Sequence, residues 1–191
     1  MNKIVNFFPV PVMLIDMSKL KCKDILLEII DNSQKEKHDL VENGQSSFGL
    51  TPILFYKEVE ELKNYIDFNL QNYAKHLGLK PLSITNNWFN IMHQDSRVVR
   101  HRHEGSVVSG AYYPRAPEGS TKLHFVNPLA PFKMTEIYTH DTPYSGFGQN
   151  VECLEDLMVL FPSWLEHYTE TNTTKNRTVI SFNTMITDDS L

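Results

Sequence analysis

The sequence has few cysteines, no long apolar run and no excess of positive charge, and each shortage narrows the class of protein. Only two of its 191 residues are cysteines, Cys22 and Cys153. Their spacing fits no metal-binding or redox motif, so we expect buried or incidental thiols in a reducing compartment. No run approaches the roughly 20 apolar residues of a membrane-spanning helix. The formal net charge of −5, without a long basic run, argues against broad binding to nucleic acid or to anionic membranes.

The N-terminal residues also lack the pattern of a signal peptide. Their apolar stretch is interrupted by Pro9, Pro11 and Asp16, and no small-residue cleavage site follows. We therefore expect a cytoplasmic protein that binds neither membranes nor nucleic acid. The sequence neither predicts nor excludes a homodimer.

The first 80 residues predict one strand and two helices. A strand over 3–15, broken by two prolines, suits a sheet edge. From Ser18 onward the apolar residues follow helical spacing, and the polar segment 32–49 is interpreted as a loop. A second helix can begin at Thr51-Pro52, because proline is tolerated in the first turn, and it ends at Gly78. Its predicted apolar stripe consists of Phe55, Val59, Leu62, Ile66, Tyr73 and Leu77.

After residue 80 the sequence becomes strand-like. Short β-branched and aromatic runs alternate with turn-forming segments, a pattern typical of an antiparallel sandwich or barrel. The predicted strand runs are "SITNNWFNI", "RVVRHRH", "VVSGAYY", "TKLHFV", "TEIYTH", "LMVLF" and "RTVISFNTMIT". We predict a mainly β protein with N-terminal helices. Residues 1–191 form a single domain, in which residues 1–80 pack on a jelly-roll, cupin-like core of residues 81–191.

Two histidines two residues apart, His101 and His103, indicate a metal site. Side chains alternate along a strand, so both rings point to one face, together with Val99. Neutral imidazole is a good ligand for iron, zinc or nickel. The alternative interpretation is a solvent-facing pair beside Arg100 and Arg102.

Features farther along the chain favour the metal site. Ser109, Ala111 and Tyr113 share a face whose small side chains leave room for a ligand. His167 follows an apolar strand and the "FPSW" turn. Arg177 lies ten residues later and starts a strand on which Val179, Ser181 and Asn183 occupy the same face. Burying an arginine costs free energy unless its charge meets an anion, so Arg177 suggests a carboxylate-bearing ligand. Considered by itself, Arg177 also fits a surface arginine at the start of a strand.

Together these motifs resemble the 2-oxoglutarate- and Fe(II)-dependent oxygenases, in particular small phage and bacterial members related to prolyl hydroxylases. The resemblance covers residues 86–184 and rests on "WFN", "HRHEGSVVSGAYYP", "FPSWLEH" and "RTVISFN". It implies a double-stranded β-helix, with His101 and His167 as iron ligands. Arg177 would bind the distal carboxylate of 2-oxoglutarate, assisted by Tyr113. Asn90, Ser181 and Asn183 are candidates for lining the same pocket.

The third ligand departs from the family pattern. Where the family has His-x-Asp/Glu, this chain has His103, and three imidazoles leave the site one negative charge short. The nearest carboxylate, Glu104, points away on a regular strand, and only a bulge at "HEG" would bring it in. We favour His103 as the ligand.

The leading hypothesis is an Fe(II), 2-oxoglutarate and dioxygen-dependent enzyme that hydroxylates a C–H bond, with a peptide side chain or a small molecule as substrate. A three-histidine, cupin-like metal protein without 2-oxoglutarate is an alternative, and a non-catalytic binding jelly roll is another. His124 is interpreted as a hydrogen-bonded wall residue, and "ECLEDL" (152–157) as a solvated segment.

Overall fold

Antiparallel strands make up most of the regular secondary structure in the computed structural model, which describes residues 1–132, 139–140, 142, 144 and 146–187. Within these residues the α-helices are α1 (Lys23–Asn32) and α2 (Glu60–His76), and short 3₁₀ turns cover Ile53–Phe55, Lys57–Val59 and Ala130–Phe132. The strands are β1 (Met13–Asp16), β2 (Glu36–His38), β3 (Val41–Ser46), β4 (Leu82–Val98), β5 (Val108–Arg115), β6 (Leu123–Val126), β7 (Gly148–Val151), β8 (Leu157–Pro162), β9 (His167–Thr169) and β10 (Arg177–Ile186).

The strands form a large and a small sheet. The large sheet has the order β1-β8-β5-β10-β4-β3-β2 and the small sheet the order β7-β6-β9. Every pairing between neighbours is antiparallel. The predicted mainly β architecture with N-terminal helices is confirmed.

The two α-helices cover one face of the large sheet. Apolar residues three and four apart give each helix one buried stripe, which packs on every second residue of the central strands. The stripe residues are Leu26, Ile30, Leu62, Ile66, Leu70 and Tyr73, and the strand residues include Phe89, Tyr112, Leu160, Ile180 and Phe182. Gly110 lets the ring of Phe182 lie against β5, because a Cβ atom there would overlap that ring. Full burial of each such side chain contributes about 1.5–3 kcal/mol.

The opposite face of the large sheet meets the small sheet. The alternate residues of the same strands, Ala111, Tyr113, Val159, Phe161 and Val179, pack with Leu123 and Phe125 of β6. Because side chains alternate along a strand, one set of strands builds the helix-covered core and also the wall of the space between the sheets. The candidate site lies in that space.

The predicted loop over 32–49 is wrong. Half of its residues form β2 and β3; β3 pairs with β4, and β2 is the edge strand of the sheet. Side-chain alternation is obscured because Asn43 has a positive φ of 55° and the pairing register shifts between Glu42 and Gly44. Backbone hydrogen bonds from β4 hold this edge hairpin, so its polar composition does not exclude strands.

Three N-terminal boundaries also differ from the prediction. Only Met13–Asp16 of the opening strand pairs, at the expected sheet edge. Helix α1 starts later than Ser18 because the Glu61 carboxylate accepts hydrogen bonds from the backbone N–H groups of Lys21 and Cys22, each at 3.0 Å. Helix α2 starts later than Thr51 because 3₁₀ turns precede it, and Phe55 of the predicted stripe is 55% exposed.

Gly78, at φ 69°, ends α2 as predicted. The predicted strand "TEIYTH" (135–140) lies mostly outside the described residues. No described helix combines the length and the apolar character that crossing a bilayer requires.

Candidate metal centre and carboxylate pocket

Three imidazole rings from distant parts of the chain converge between the sheets. The candidate ligand atoms of His101, His103 and His167 all lie within 4.8 Å of one another. The ring centroids are separated by 5.0 Å for His101–His103, 4.3 Å for His101–His167 and 5.1 Å for His103–His167. Three imidazole nitrogens at this separation can face a single divalent cation.

Backbone pairing beyond the ends of the strands brings the three histidines together. His101 and His167 exchange both of their backbone hydrogen bonds, at 3.0 and 2.9 Å, and the N–H of His103 donates to the carbonyl of Ser163 at 3.0 Å. The prediction that His101 and His103 lie on a regular strand is wrong, because β4 ends at Val98 and only an isolated bridge follows. The segment is nevertheless extended enough for the two rings to reach the same space.

Hydrogen bonds to carbonyl oxygens determine which nitrogen of two rings is free for a metal. Nδ1 of His101 lies 2.8 Å from the carbonyl oxygen of Val99, and Nδ1 of His167 lies 2.9 Å from that of Leu165. A carbonyl oxygen only accepts, so each Nδ1 carries the proton and donates it. In the neutral rings Nε2 therefore keeps its lone pair, the arrangement found in metal-ligating histidines.

Burial keeps all three rings neutral near pH 7. Desolvation lowers the pKa of His101. Desolvation, with a smaller contribution from His101, lowers the pKa of His103 to about 4 and that of His167 to about 3. Because metal ions bind the unprotonated ring, the cluster needs no proton release to accept a cation at neutral pH.

Glu104, the alternative third ligand, is turned towards solvent. Its side chain is 80% exposed and accepts a hydrogen bond from Arg102 at 3.2 Å. The ring of His103 instead faces the interior, with its centroid 5.9 Å from the Trp88 ring and 6.5 Å from the Phe161 ring. The geometry favours His103 over Glu104.

The three histidines line a cavity of about 300 Å³ whose walls come from neighbouring strands. On β10, Arg177, Val179, Ser181 and Asn183 all face this cavity, as the alternation of the strand predicts. Register continues the wall sideways, because Ser181 pairs with Trp88 on β4 and with Ala111 on β5. The volume is at the lower end of the range for small-molecule sites.

Arg177 is buried at the wall of this cavity with most of its donors unused. The residue is 1% exposed, and within the described part of the chain neither Nε nor Nη1 has a hydrogen-bond partner. Its Nη2 donates to Sγ of Cys153 at 3.2 Å, and its Cζ lies 4.9 Å from the centre of the Tyr113 ring. Burial opposes the charge, but a guanidinium is basic enough to keep its proton in proteins, so Arg177 remains a cation. A buried cation with free N–H groups is suited to an anionic ligand.

The other predicted pocket residues lie on the same walls. Burial and the neighbouring Cys153 raise the pKa of Tyr113 well above its ordinary value, so its hydroxyl keeps its proton. Asn90 is buried and its Oδ1 has no partner. Asn183 accepts a hydrogen bond from Ser109 at 2.8 Å through Oδ1. Ser181 lines the cavity between them.

Two aromatic residues at the cavity were missed by sequence reasoning. His38, the last residue of β2, and Phe48, two residues after β3, line the cavity. The Phe48 ring stands edge-on to His38 at 4.7 Å and to Trp88 at 5.1 Å. The polar composition of 32–49 concealed them. His124 takes no part in the cluster, because it lies on the opposite face of β6 from Leu123 and Phe125 and stacks on Tyr168.

Comparison with known families gives one match over this region. The family model described as "Putative 2OG-Fe(II) oxygenase" matches residues 86–183, just over half of the chain. This range includes all three histidines, Tyr113 and Arg177. No curated protein matches the sequence.

Solved structures of such enzymes share the fold. A prolyl hydroxylase from Trichoplax adhaerens, in complex with a hypoxia-inducible-factor peptide fragment, has 10% identity and a TM-score of 0.63, covering 90% of this chain and 82% of its own. The 2-oxoglutarate complex of a viral collagen prolyl hydroxylase from Paramecium bursaria Chlorella virus-1 has 10% identity and a TM-score of 0.59, with 92% and 96% covered. The α-ketoglutarate-dependent epimerase SnoN of nogalamycin biosynthesis has 9% identity and a TM-score of 0.65, with 93% and 77% covered.

The fold is therefore a double-stranded β-helix, as predicted. At these identities the similarity establishes the fold and leaves the substrate open.

Proposed function

The chain belongs to the 2-oxoglutarate- and Fe(II)-dependent oxygenase family, and from this premise we propose that it hydroxylates a C–H bond in a peptide or protein side chain. The main support is the convergence on one cavity of three neutral imidazoles and a buried guanidinium with unused donors. Its cofactor is Fe(II), and its co-substrates are 2-oxoglutarate and dioxygen. Together they supply oxidative decarboxylation of the keto acid coupled to oxidation of the substrate.

In this proposal His101, His103 and His167 hold the iron. The donor set fits, since imidazole nitrogen is a common ligand of Fe(II) and two rings are oriented by Nδ1–H hydrogen bonds to carbonyl oxygens. Three neutral ligands leave the charge of the metal uncompensated by the protein. A dianionic co-substrate offsets that charge, which is consistent with a site that uses 2-oxoglutarate.

Arg177 binds the distal carboxylate of 2-oxoglutarate through the N–H groups that have no partner among the described residues. The protonated Tyr113 hydroxyl assists as a donor, and Asn90, Ser181 and Asn183 contribute polar groups along the same wall. Apolar residues of the wall, Val179, Ala111 and Phe161, exclude water from the reacting groups.

A peptide substrate is supported by the similarity to a prolyl hydroxylase solved with a peptide fragment. SnoN, a small-molecule enzyme, shares the fold equally well, so a metabolite is the main alternative. We also propose that the protein acts in the cytoplasm.

A cupin-like metal protein without 2-oxoglutarate is the second candidate, favoured by the three-histidine ligand set. The two hypotheses make different demands on the position of Arg177: only the oxygenase requires this residue at the metal cavity. Its place on the cavity wall supports the oxygenase.

Anaerobic titration of the protein with Fe(II) and 2-oxoglutarate tests the proposal. We expect a weak visible charge-transfer band that requires protein, iron and 2-oxoglutarate together. His167→Ala should abolish the band, whereas His76→Ala, which replaces an exposed histidine at the end of α2, should retain it. Iron binding without a band in the folded protein would instead support the cupin-like reading.

Substrate class is tested by 2-oxoglutarate turnover in the presence of candidate substrates. Proline-containing peptides should stimulate succinate formation and gain one oxygen atom, detected by mass spectrometry. Stimulation by small metabolites alone would refute the peptide assignment and leave the oxygenase assignment intact.

A further inference from the structure

The side chain of Cys153 lies in direct contact with the buried guanidinium of Arg177. Cys153 belongs to the segment between β7 and β8 that the sequence predicts to be solvated, yet it is 4% exposed. The prediction of a solvated segment is only partly right: Glu155 and Asp156 pair with Lys23 near the surface, whereas Cys153 points into the interior. From the sequence we expect only a buried or incidental thiol at this position.

The thiol accepts the hydrogen bond that Nη2 of Arg177 donates. Nη2 lies 3.2 Å from Sγ, and the Tyr113 hydroxyl interacts with both groups. Arg177 therefore has one N–H held by sulfur and one face covered by the Tyr113 ring. Nε and Nη1 are left without a partner.

A thiol differs from a carboxylate at this position in a way that matters for ligand binding. Sulfur is a weak acceptor and carries no charge as a thiol, so it orients the guanidinium without neutralising it. An aspartate here would form a buried ion pair with Arg177 and would compete with an incoming carboxylate. The cysteine thus leaves the positive charge available.

We infer that Cys153 is a positioning residue for the 2-oxoglutarate carboxylate, holding Arg177 in its binding orientation through the Nη2–Sγ contact. The inference rests on the proposed function, because it assumes that Arg177 binds 2-oxoglutarate. Cys153 itself touches neither substrate nor metal in this assignment. Its contribution is expected in co-substrate affinity and not in iron affinity.

A series of substitutions separates this role from simple packing. Anaerobic titration of the Fe(II)-loaded protein, followed by the charge-transfer band, gives the dissociation constant of 2-oxoglutarate. Cys153→Ser keeps an acceptor and should bind within about twofold of wild type, whereas Cys153→Ala should bind about tenfold more weakly. Cys153→Asp should lose about a hundredfold or more, because its carboxylate neutralises Arg177. Cys22→Ala is the matched control, since Cys22 is the other buried cysteine and packs in the helix-covered core.

A second ligand shows whether the effect passes through Arg177. 2-Oxobutyrate keeps the keto acid but has no distal carboxylate, so Cys153→Ala should leave its affinity unchanged. In an Arg177→Met background, Cys153→Ala should have no further effect on 2-oxoglutarate.

The inference would be overturned if Cys153→Ala weakened the binding of 2-oxoglutarate and 2-oxobutyrate equally. It would also be overturned if Cys153→Ala and Cys153→Asp both bound 2-oxoglutarate with wild-type affinity. Either result would leave the oxygenase assignment standing. Failure of the wild-type protein to bind 2-oxoglutarate would overturn both.

Discussion

Replacement of Arg177 by methionine should change ligand affinity and the stability of the ligand-free protein in opposite directions. Methionine keeps much of the length and apolar volume of the arginine stem but has neither charge nor donors. Two guanidinium nitrogens, Nε and Nη1, are unpartnered and free to donate to a carboxylate. Hydrogen bonds to charged groups contribute about 1.5–3 kcal/mol each. Losing two should therefore weaken 2-oxoglutarate binding by roughly 10²- to 10⁴-fold.

The stability of the ligand-free protein should rise. A buried charge without a full set of partners costs several kcal/mol. The interactions that methionine gives up are one N–H···S contact and the stacking on Tyr113, and a cation–π contact contributes about 1–2 kcal/mol. We expect a net gain of about 1 kcal/mol in the free energy of unfolding, which is about 2–4 °C in melting temperature for a chain of this size.

Both quantities can be measured on the same preparations. Thermal melts of the ligand-free protein give the stability change. Melts of the Fe(II)-loaded protein with and without 2-oxoglutarate give the stabilisation by 2-oxoglutarate, which should be large for wild type and nearly absent for Arg177→Met. Arg115→Met is a matched control, because Arg115 is a partly buried arginine paired with Asp31 outside the cavity. Wild-type 2-oxoglutarate affinity together with a lower melting temperature would refute the reasoning, since Arg177 would then be a satisfied structural residue.

The remaining predictions concern the histidine cluster. Loss of an outer-shell partner weakens metal binding by about 10–100-fold, and His103→Ala, which removes a ligand, should weaken Fe(II) binding by more than that. His103→Asp should restore binding because it supplies a carboxylate. Competition with a chelator measures both affinities, and an unchanged affinity in His103→Ala would point to Glu104 or water as the third ligand. The metal-free protein should lose stability as the pH falls below about 6.5, because the histidines of the unfolded chain take up protons in that range. In the folded protein desolvation holds the pKa of His103 at about 4 and that of His167 at about 3, so these two rings stay unprotonated. Melting temperatures at pH 7.5 and 5 measure this loss, which should be smaller in His167→Phe; an equal loss in both proteins would contradict the assignment.

Strand periodicity predicted the wall of the site correctly. Arg177, Val179, Ser181 and Asn183 were expected on one face of a strand, and all four line the cavity. The side-chain period of two depends only on local backbone geometry, so it can be read without knowing what the strand packs against. The order of His101, His103, His167 and Arg177 along the chain was likewise sufficient to suggest the family.

The sequence did not reveal contacts that depend on neighbouring strands. The hairpin of β2 and β3 has a polar composition, and its pairing with β4 brings Phe48 to the Trp88 ring. The orientations of the His103 and Glu104 side chains also required coordinates, because the two residues are adjacent and an irregular segment could have presented either one to the cavity.

The sequence by itself determined which side chains share a face and which chemical groups are present, because both follow from residue identity and from the local repeat of the backbone. Only the tertiary structure decided that His101 pairs with His167, that Cys153 accepts a hydrogen bond from Arg177, and that Arg177 is buried with unused donors. These are contacts between segments far apart in the chain. They depend on how two sheets pack face to face, and no local sequence pattern encodes which distant segments come into contact.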